Sequence, residues 1–137
     1  MDCRNREVIS SVASPGGYRG DEVRDLRLEA VEKRFGQARR AIAIQWLSDN
    51  GSAYTAEQAR EIGLMPLTTS ACSPQTDGMA ECFMKTVKRD YITHMHRPVR
   101  LTALRNLAIA FVHYNEAHSA LKCRSPREFR RLAAAST

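Results

Sequence analysis

The chain has 137 residues, 43% of them hydrophobic and 26% charged, and its Lys and Arg exceed Asp and Glu by 21 to 15 for a net charge of +6. That fits one globular domain burying roughly two-thirds of its unfolded surface. No run reaches the ~20 apolar residues of a membrane helix, and Met1 opens onto charged residues rather than a leader, which predicts an intracellular protein.

Val8 to Ala13 reads as a strand, ended by Ser14-Pro15-Gly16-Gly17. Asp21 to Phe35 reads as an amphipathic helix, with Val23, Leu26, Ala30 and Val31 at helical spacing and Gly36 as its stop. Ile42 to Leu47 is a short β-branched and aromatic run with Trp46 in its core, followed by the turn signal Asn50-Gly51. A short helix is expected from Thr55 to Ile62 and a strand from Met65 to Ser70. A long helix follows from Asp77 to about His94, entered through Thr76-Asp77-Gly78. Leu101 to His118 forms another, with Leu104, Leu107, Ala108, Phe111 and Val112 as its apolar stripe. Ser125-Pro126-Arg127-Glu128 starts a last helix with Pro at its first position.

Two carboxylates stand at places suited to divalent metal. Asp49 lies at the carboxyl end of an apolar strand, where α/β folds collect ligands. Glu81 lies in the first turns of the long helix. Mg²⁺ favours few carboxylates and several waters. Each has a plainer role open to it: Asp49 as a turn residue bonding its own backbone, Glu81 as a helix-start acid favoured by the macrodipole. Lys85 and Lys88 follow Glu81 by four and seven residues, on the same face, while Met79, Phe83, Val87 and Tyr91 should face the core. Those lysines form either a solvated charged face or a phosphate-contacting one.

Taken together, Ser48-Asp49-Asn50-Gly51-Ser52, Ser73-Pro74, Asp77-Gly78-Met79-Ala80-Glu81-Cys82-Phe83, Lys88-Arg89 and His113-Tyr114-Asn115 resemble the integrase core of bacterial insertion-sequence transposases, DDE enzymes related to retroviral integrases. The resemblance runs from about Asp2 to Arg131. It implies an RNase H-like α/β fold, a mixed sheet flanked by helices, here lacking the first, central strand and most of the second. Residues 1–98 match a partial catalytic core and 99–137 a helical extension of the same domain. The resemblance implies DNA cleavage and joining by two-metal phosphoryl transfer, with Asp49 and Glu81 as catalytic carboxylates and ligands of Mg²⁺ or Mn²⁺. Lys85, Lys88, Arg89 and Asn50 match DNA-contacting positions. A bacterial, nucleoid-associated cytoplasmic protein is implied, with DNA as partner and a second copy or partner chain covering the missing central strand.

The chain departs from the family pattern in places. The triad's first Asp has no counterpart, and Asp2 matches a structural position near a turn rather than a ligand. The Asp49–Glu81 spacing is a few residues short, Asp77 replaces a usual Asn, and Ala117-His118-Ser119 is shorter than usual. These departures point to a second reading, a non-catalytic remnant that keeps the fold and binds nucleic acid or itself.

The remaining polar groups carry less. His94-x-His96 splits its rings to different helix faces, so a solvated or capping role is expected. His113, Tyr114 and Asn115 are expected to pack the late helix on the core. Cys82 is expected to be a buried or inert thiol, and no Cys-x-x-Cys pair exists among Cys3, Cys72, Cys82 and Cys123, which argues against zinc and disulfide frameworks. Arg124, Arg127, Arg130 and Arg131 form either a solvated face or a phosphate-tracking one.

Overall fold

The structure is a computed structural model that describes residues 1–14, 16–36, 44–48, 57, 59–68, 74–95, 99–119 and 123–136. In chain order the elements are α1 (Gly20–Phe35), β1 (Ile44–Ser48), β2 (Leu64–Thr68), α2 (Pro74–Val87), a π-helical turn (Lys88–Ile92), α3 (Arg100–Ala117) and α4 (Pro126–Ala135). They divide into two compact units, Val12–Cys82 and Met1–Ser11 with Phe83–Thr137. No helix among the described residues is long and apolar enough to cross a membrane.

In the Val12–Cys82 unit, α1 starts where the Glu22 carboxylate accepts the Arg19 backbone N–H at 2.8 Å. It stops at Gly36, whose φ of +69° gives the left-handed cap that glycine adopts without strain. Its inner face is Arg27, Ala30 and Val31. β1 and β2 pair in parallel, with Ile44 opposite Leu64 and Trp46 opposite Pro66. The β1 side chains alternate between half-buried and exposed, as a strand covered on one face must. The core is Val31, Ala59 and Leu64, with Ile44, Trp46 and Ile62 packed around it. The guanidinium of buried Arg27 lies over the Trp46 ring, 5.2 Å from its centroid. Burial lowers the Arg27 pKa below its ordinary value.

The second unit is built on α3. Phe83 meets Phe111 at 6.2 Å in a stack and Tyr114 at 5.3 Å edge-on, while the Tyr114 ring stacks on His118 at 4.9 Å. Val87 is buried. The packed face of α3 carries Ala110, Tyr114 and Asn115, not the whole stripe expected from the sequence. Leu104 and Val112 are exposed, as are Leu101 and Ile109. Asn115 accounts for the rotation, because its amide is turned inward to bond Val8.

Val8 to Ala13, expected as a strand, forms none. The Val8 N–H donates to Asn115 Oδ1 and the Val8 carbonyl accepts from Nδ2, both at 2.8 Å, so a side-chain amide satisfies the backbone in place of a neighbouring strand. One residue earlier, buried Glu7 accepts from Arg127 Nε at 3.2 Å, and Arg130 Nε lies 3.1 Å from its other oxygen. Arg127 also donates to Glu116 at 2.6 Å. The start of α4 is a capping box: Ser125 Oγ accepts the Glu128 N–H at 3.3 Å, and the Glu128 carboxylate accepts the Ser125 N–H at 3.4 Å. Pro126 stands at the first helical position, as its sequence predicts, and is fully buried.

Candidate functional site

Asp49 and Asn50 lie outside the described residues. The residue before them, Ser48, closes β1 at its carboxyl end. Glu81 is exposed on α2. The helix begins at Pro74, earlier than expected, because proline suits a first helical position where its missing N–H costs nothing. Glu81 therefore sits about two turns in, where the pull of the helix start has faded. A carboxylate there gains little from the helix itself. Among the described residues, no group of three or more His, Cys, Asp or Glu is arranged to hold a metal ion. Asp2 behaves as a turn residue, its carboxylate accepting the Arg4 N–H at 2.8 Å.

Lys85 lies in the last turn of α2, and Lys88 opens the π-helical turn; both are exposed. The turn is closed by Thr93, whose N–H at 3.0 Å and Oγ1 at 2.7 Å both donate to the Lys88 carbonyl. Such wide turns recur at functional sites. Tyr91 turns from this segment onto α3, where its hydroxyl meets His113 Nδ1 at 3.0 Å and the rings cross at 5.7 Å. Burial, then the neighbouring Asp90 charge, raises the Tyr91 phenol above its ordinary pKa.

Arg89 makes a side-on pair with Asp90, its Nε meeting Oδ1 and its terminal nitrogen meeting Oδ2 at 2.8 Å. That hydrogen bond holds the Asp90 carboxyl below its ordinary range. Asp90, Tyr91 and His94 line an open cleft of about 460 Å³ against Asn106, Ile109 and His113. His94 is exposed there and His96 lies outside the described residues. Cys82 is exposed, which removes the buried alternative of the buried or inert thiol expected there.

The C-terminal arginines are the group that sequence reasoning left open, between a solvated face and a phosphate-tracking one. Arg127 and Arg130 are tied to Glu7, and Arg127 and Arg131 to Glu116. The Glu116 carboxylate, bonded by Arg127, titrates below its ordinary range, and Arg127 is raised in turn. This cluster fastens the first residues to α4. The partner carboxylates lie more than a hundred positions away or on another helix, so no local signal could have revealed the pairing.

No protein-family model matches the chain. It is 47% identical over 140 residues to the InsD protein of insertion element IS2E from Escherichia coli K12, covering 98% of this chain and 64% of that one. It is likewise 47% identical to transposase InsD for insertion element IS2A/D/F/H/I/K from Escherichia coli, covering 98% of this chain and 46% of that one. The chain thus spans less than two thirds of the length of these relatives. Among solved structures it superposes on a chain of the simian T-cell lymphotropic virus intasome, determined in complex with PP2A regulatory subunit B56 gamma. The TM-score is 0.61 at 18% identity, over 84% of this chain and 41% of that one. It superposes on the catalytic core domain of BIV integrase with a TM-score of 0.54 at 15% identity, over 82% of this chain and 74% of that one. At those identities the likeness is one of fold, and the fold is the RNase H-like integrase core, here with a two-stranded parallel sheet among the described residues. By sequence the chain is similar, over nearly its whole length, to part of the InsD transposases of bacterial insertion elements, and by fold it is an integrase-type core.

Proposed function

We propose that this chain serves transposase-type cleavage and joining of DNA strands, with Asp49 and Glu81 as the carboxylates that hold Mg²⁺ or Mn²⁺. The observation that carries the reading is the 47% identity to an InsD transposase over 98% of the chain. The donor set suits the ion: hard carboxylate oxygens, one exposed on α2 and one next in sequence to the end of a parallel strand. When bound, the metal supplies charge stabilisation at phosphorus and an activated water or 3′-hydroxyl.

The chain's own residues position the nucleic acid. Lys85, Lys88 and Arg89 neutralise backbone phosphate, and Asn50 contributes hydrogen bonds beside Asp49. The family's first Asp has no counterpart in these 137 residues, so these residues by themselves supply two of the three carboxylates. A second copy or partner chain completes the assembly; the exposed Leu101, Ile109 and Val112 of α3 support such a contact. The place of action is the bacterial cytoplasm, on nucleoid DNA.

Nicking of supercoiled plasmid with Mn²⁺, wild type against Glu81→Gln, tests the reading. Metal-dependent nicking that disappears in the variant supports it. Salt-sensitive DNA binding with no nicking under any metal favours instead the non-catalytic remnant, which the missing first Asp makes the second reading.

A further inference from the structure

We propose that Asp90 competes with DNA phosphate for Arg89 and so sets how tightly this edge of the molecule holds nucleic acid. The inference rests on the DNA-binding reading of Lys85, Lys88 and Arg89. Arg89 follows Lys88 directly, so it extends the cationic edge that the two lysines begin. Its side chain is 73% exposed, well placed to meet a polyanion. Yet its Nε edge is already taken side-on by both Asp90 oxygens. That two-pronged geometry is the one a phosphate uses on a guanidinium.

The competition has two physical consequences. A neutralised arginine displaces no counterion from DNA, so the Arg89–Asp90 pair adds nothing to the salt-dependent part of the affinity. The pair is also exposed, and exposed ion pairs are weak, so phosphate competes on nearly equal terms. Asp90 is the better fixed of the two partners. It sits on the wide turn closed by Thr93 onto the Lys88 carbonyl, and the next residue, Tyr91, is bonded to His113. The carboxylate therefore stays while the guanidinium chooses.

An internal control exists in α1, where Arg24 pairs with its neighbour Asp25 at 3.0 Å in the other unit. Asp25→Asn and Asp90→Asn change net charge equally, so only a local effect separates them.

The experiment is fluorescence anisotropy of a labelled mixed-sequence duplex across a salt series, using the full chain. Circular dichroism melts confirm that each variant folds. Asp90→Asn is expected to bind roughly three- to tenfold tighter at low salt, with a log–log salt slope steeper by about 0.9. Asp25→Asn is expected to leave the slope unchanged, and Arg89→Ala with Asp90→Asn to return to the level of Arg89→Ala alone. A slope for Asp90→Asn no steeper than for Asp25→Asn overturns the inference, as does weaker binding or a gain that survives loss of Arg89. If wild type binds the duplex in those cases, the DNA-binding reading stands and only the role of Asp90 falls. If neither wild type nor Asp90→Asn binds, both fall.

Discussion

Asn115 and Val8, 107 positions apart, are joined by two hydrogen bonds of 2.8 Å, one to each backbone group of Val8. Asn115 is buried, so both of its amide atoms depend on this contact and both Val8 groups depend on the amide. Replacing it by Ala strands a partly buried N–H and carbonyl. Each net bond is worth about 1 kcal/mol and each unsatisfied buried group costs about 1–3 kcal/mol. Asn115→Ala is therefore expected to lower unfolding stability by about 2–3 kcal/mol in urea titration. A loss well under 1 kcal/mol would mean that the first residues are not held through Val8.

Glu7 makes the same connection by charge. It is buried, whereas the side chains of its partners Arg127 and Arg130 are 32% and 41% exposed, so solvent screens part of the pairing. Glu7→Gln keeps the shape and removes the charge. A loss of about 1–2 kcal/mol is expected, together with faster proteolysis at the N-terminal end. Stability equal to wild type would relegate the arginine cluster to a solvated face.

Glu116 supplies a pH dependence with a definite sign. Its folded carboxyl is depressed, first by the Arg127 hydrogen bond, below the ordinary 4.5. The contribution is present above that ordinary value and is lost as pH falls through the lower folded value. Stability measured from neutral pH downward should decline below about pH 4.5, and Glu116→Gln should show less of that decline. An identical acid limb in the two proteins would contradict the pairing.

Gly78 lies inside α2 with nothing within 4 Å of where a Cβ would stand. Glycine costs a helix interior about 1 kcal/mol relative to alanine. Gly78→Ala should raise stability by about 0.5–1 kcal/mol and the melting temperature by a few degrees. A destabilised variant would contradict the open space beside Gly78 in α2.

Much of the scaffold was legible in local chemistry. Gly36 stops α1, Ser125-Pro126 starts α4, and the two strands fall within two residues of their sequence-predicted bounds. Trp46 packs against the core as a mid-strand aromatic should. What could not be read is what depends on partners far along the chain. Nothing near Val8 announces that an asparagine side chain will replace its strand partner. Nothing near Arg127 announces Glu7. The packed face of α3 was likewise set by Asn115, a polar residue that periodicity counts as outward. Of the candidate site, Lys85, Lys88 and Glu81 are exposed. Arg89 carries a carboxylate partner that its charge alone did not disclose.

The central claim, that Asp49 and Glu81 serve one metal site, is tested most directly by titrating Mn²⁺ into the full chain, followed by electron paramagnetic resonance. Wild type, Asp49→Asn, Glu81→Gln and the double variant are compared. Residues that share one ion are strongly non-additive. The account predicts weak binding by wild type, most of it lost in either single variant and little more lost in the double. Single variants that each keep wild-type binding, or a wild type that binds no Mn²⁺, would contradict it.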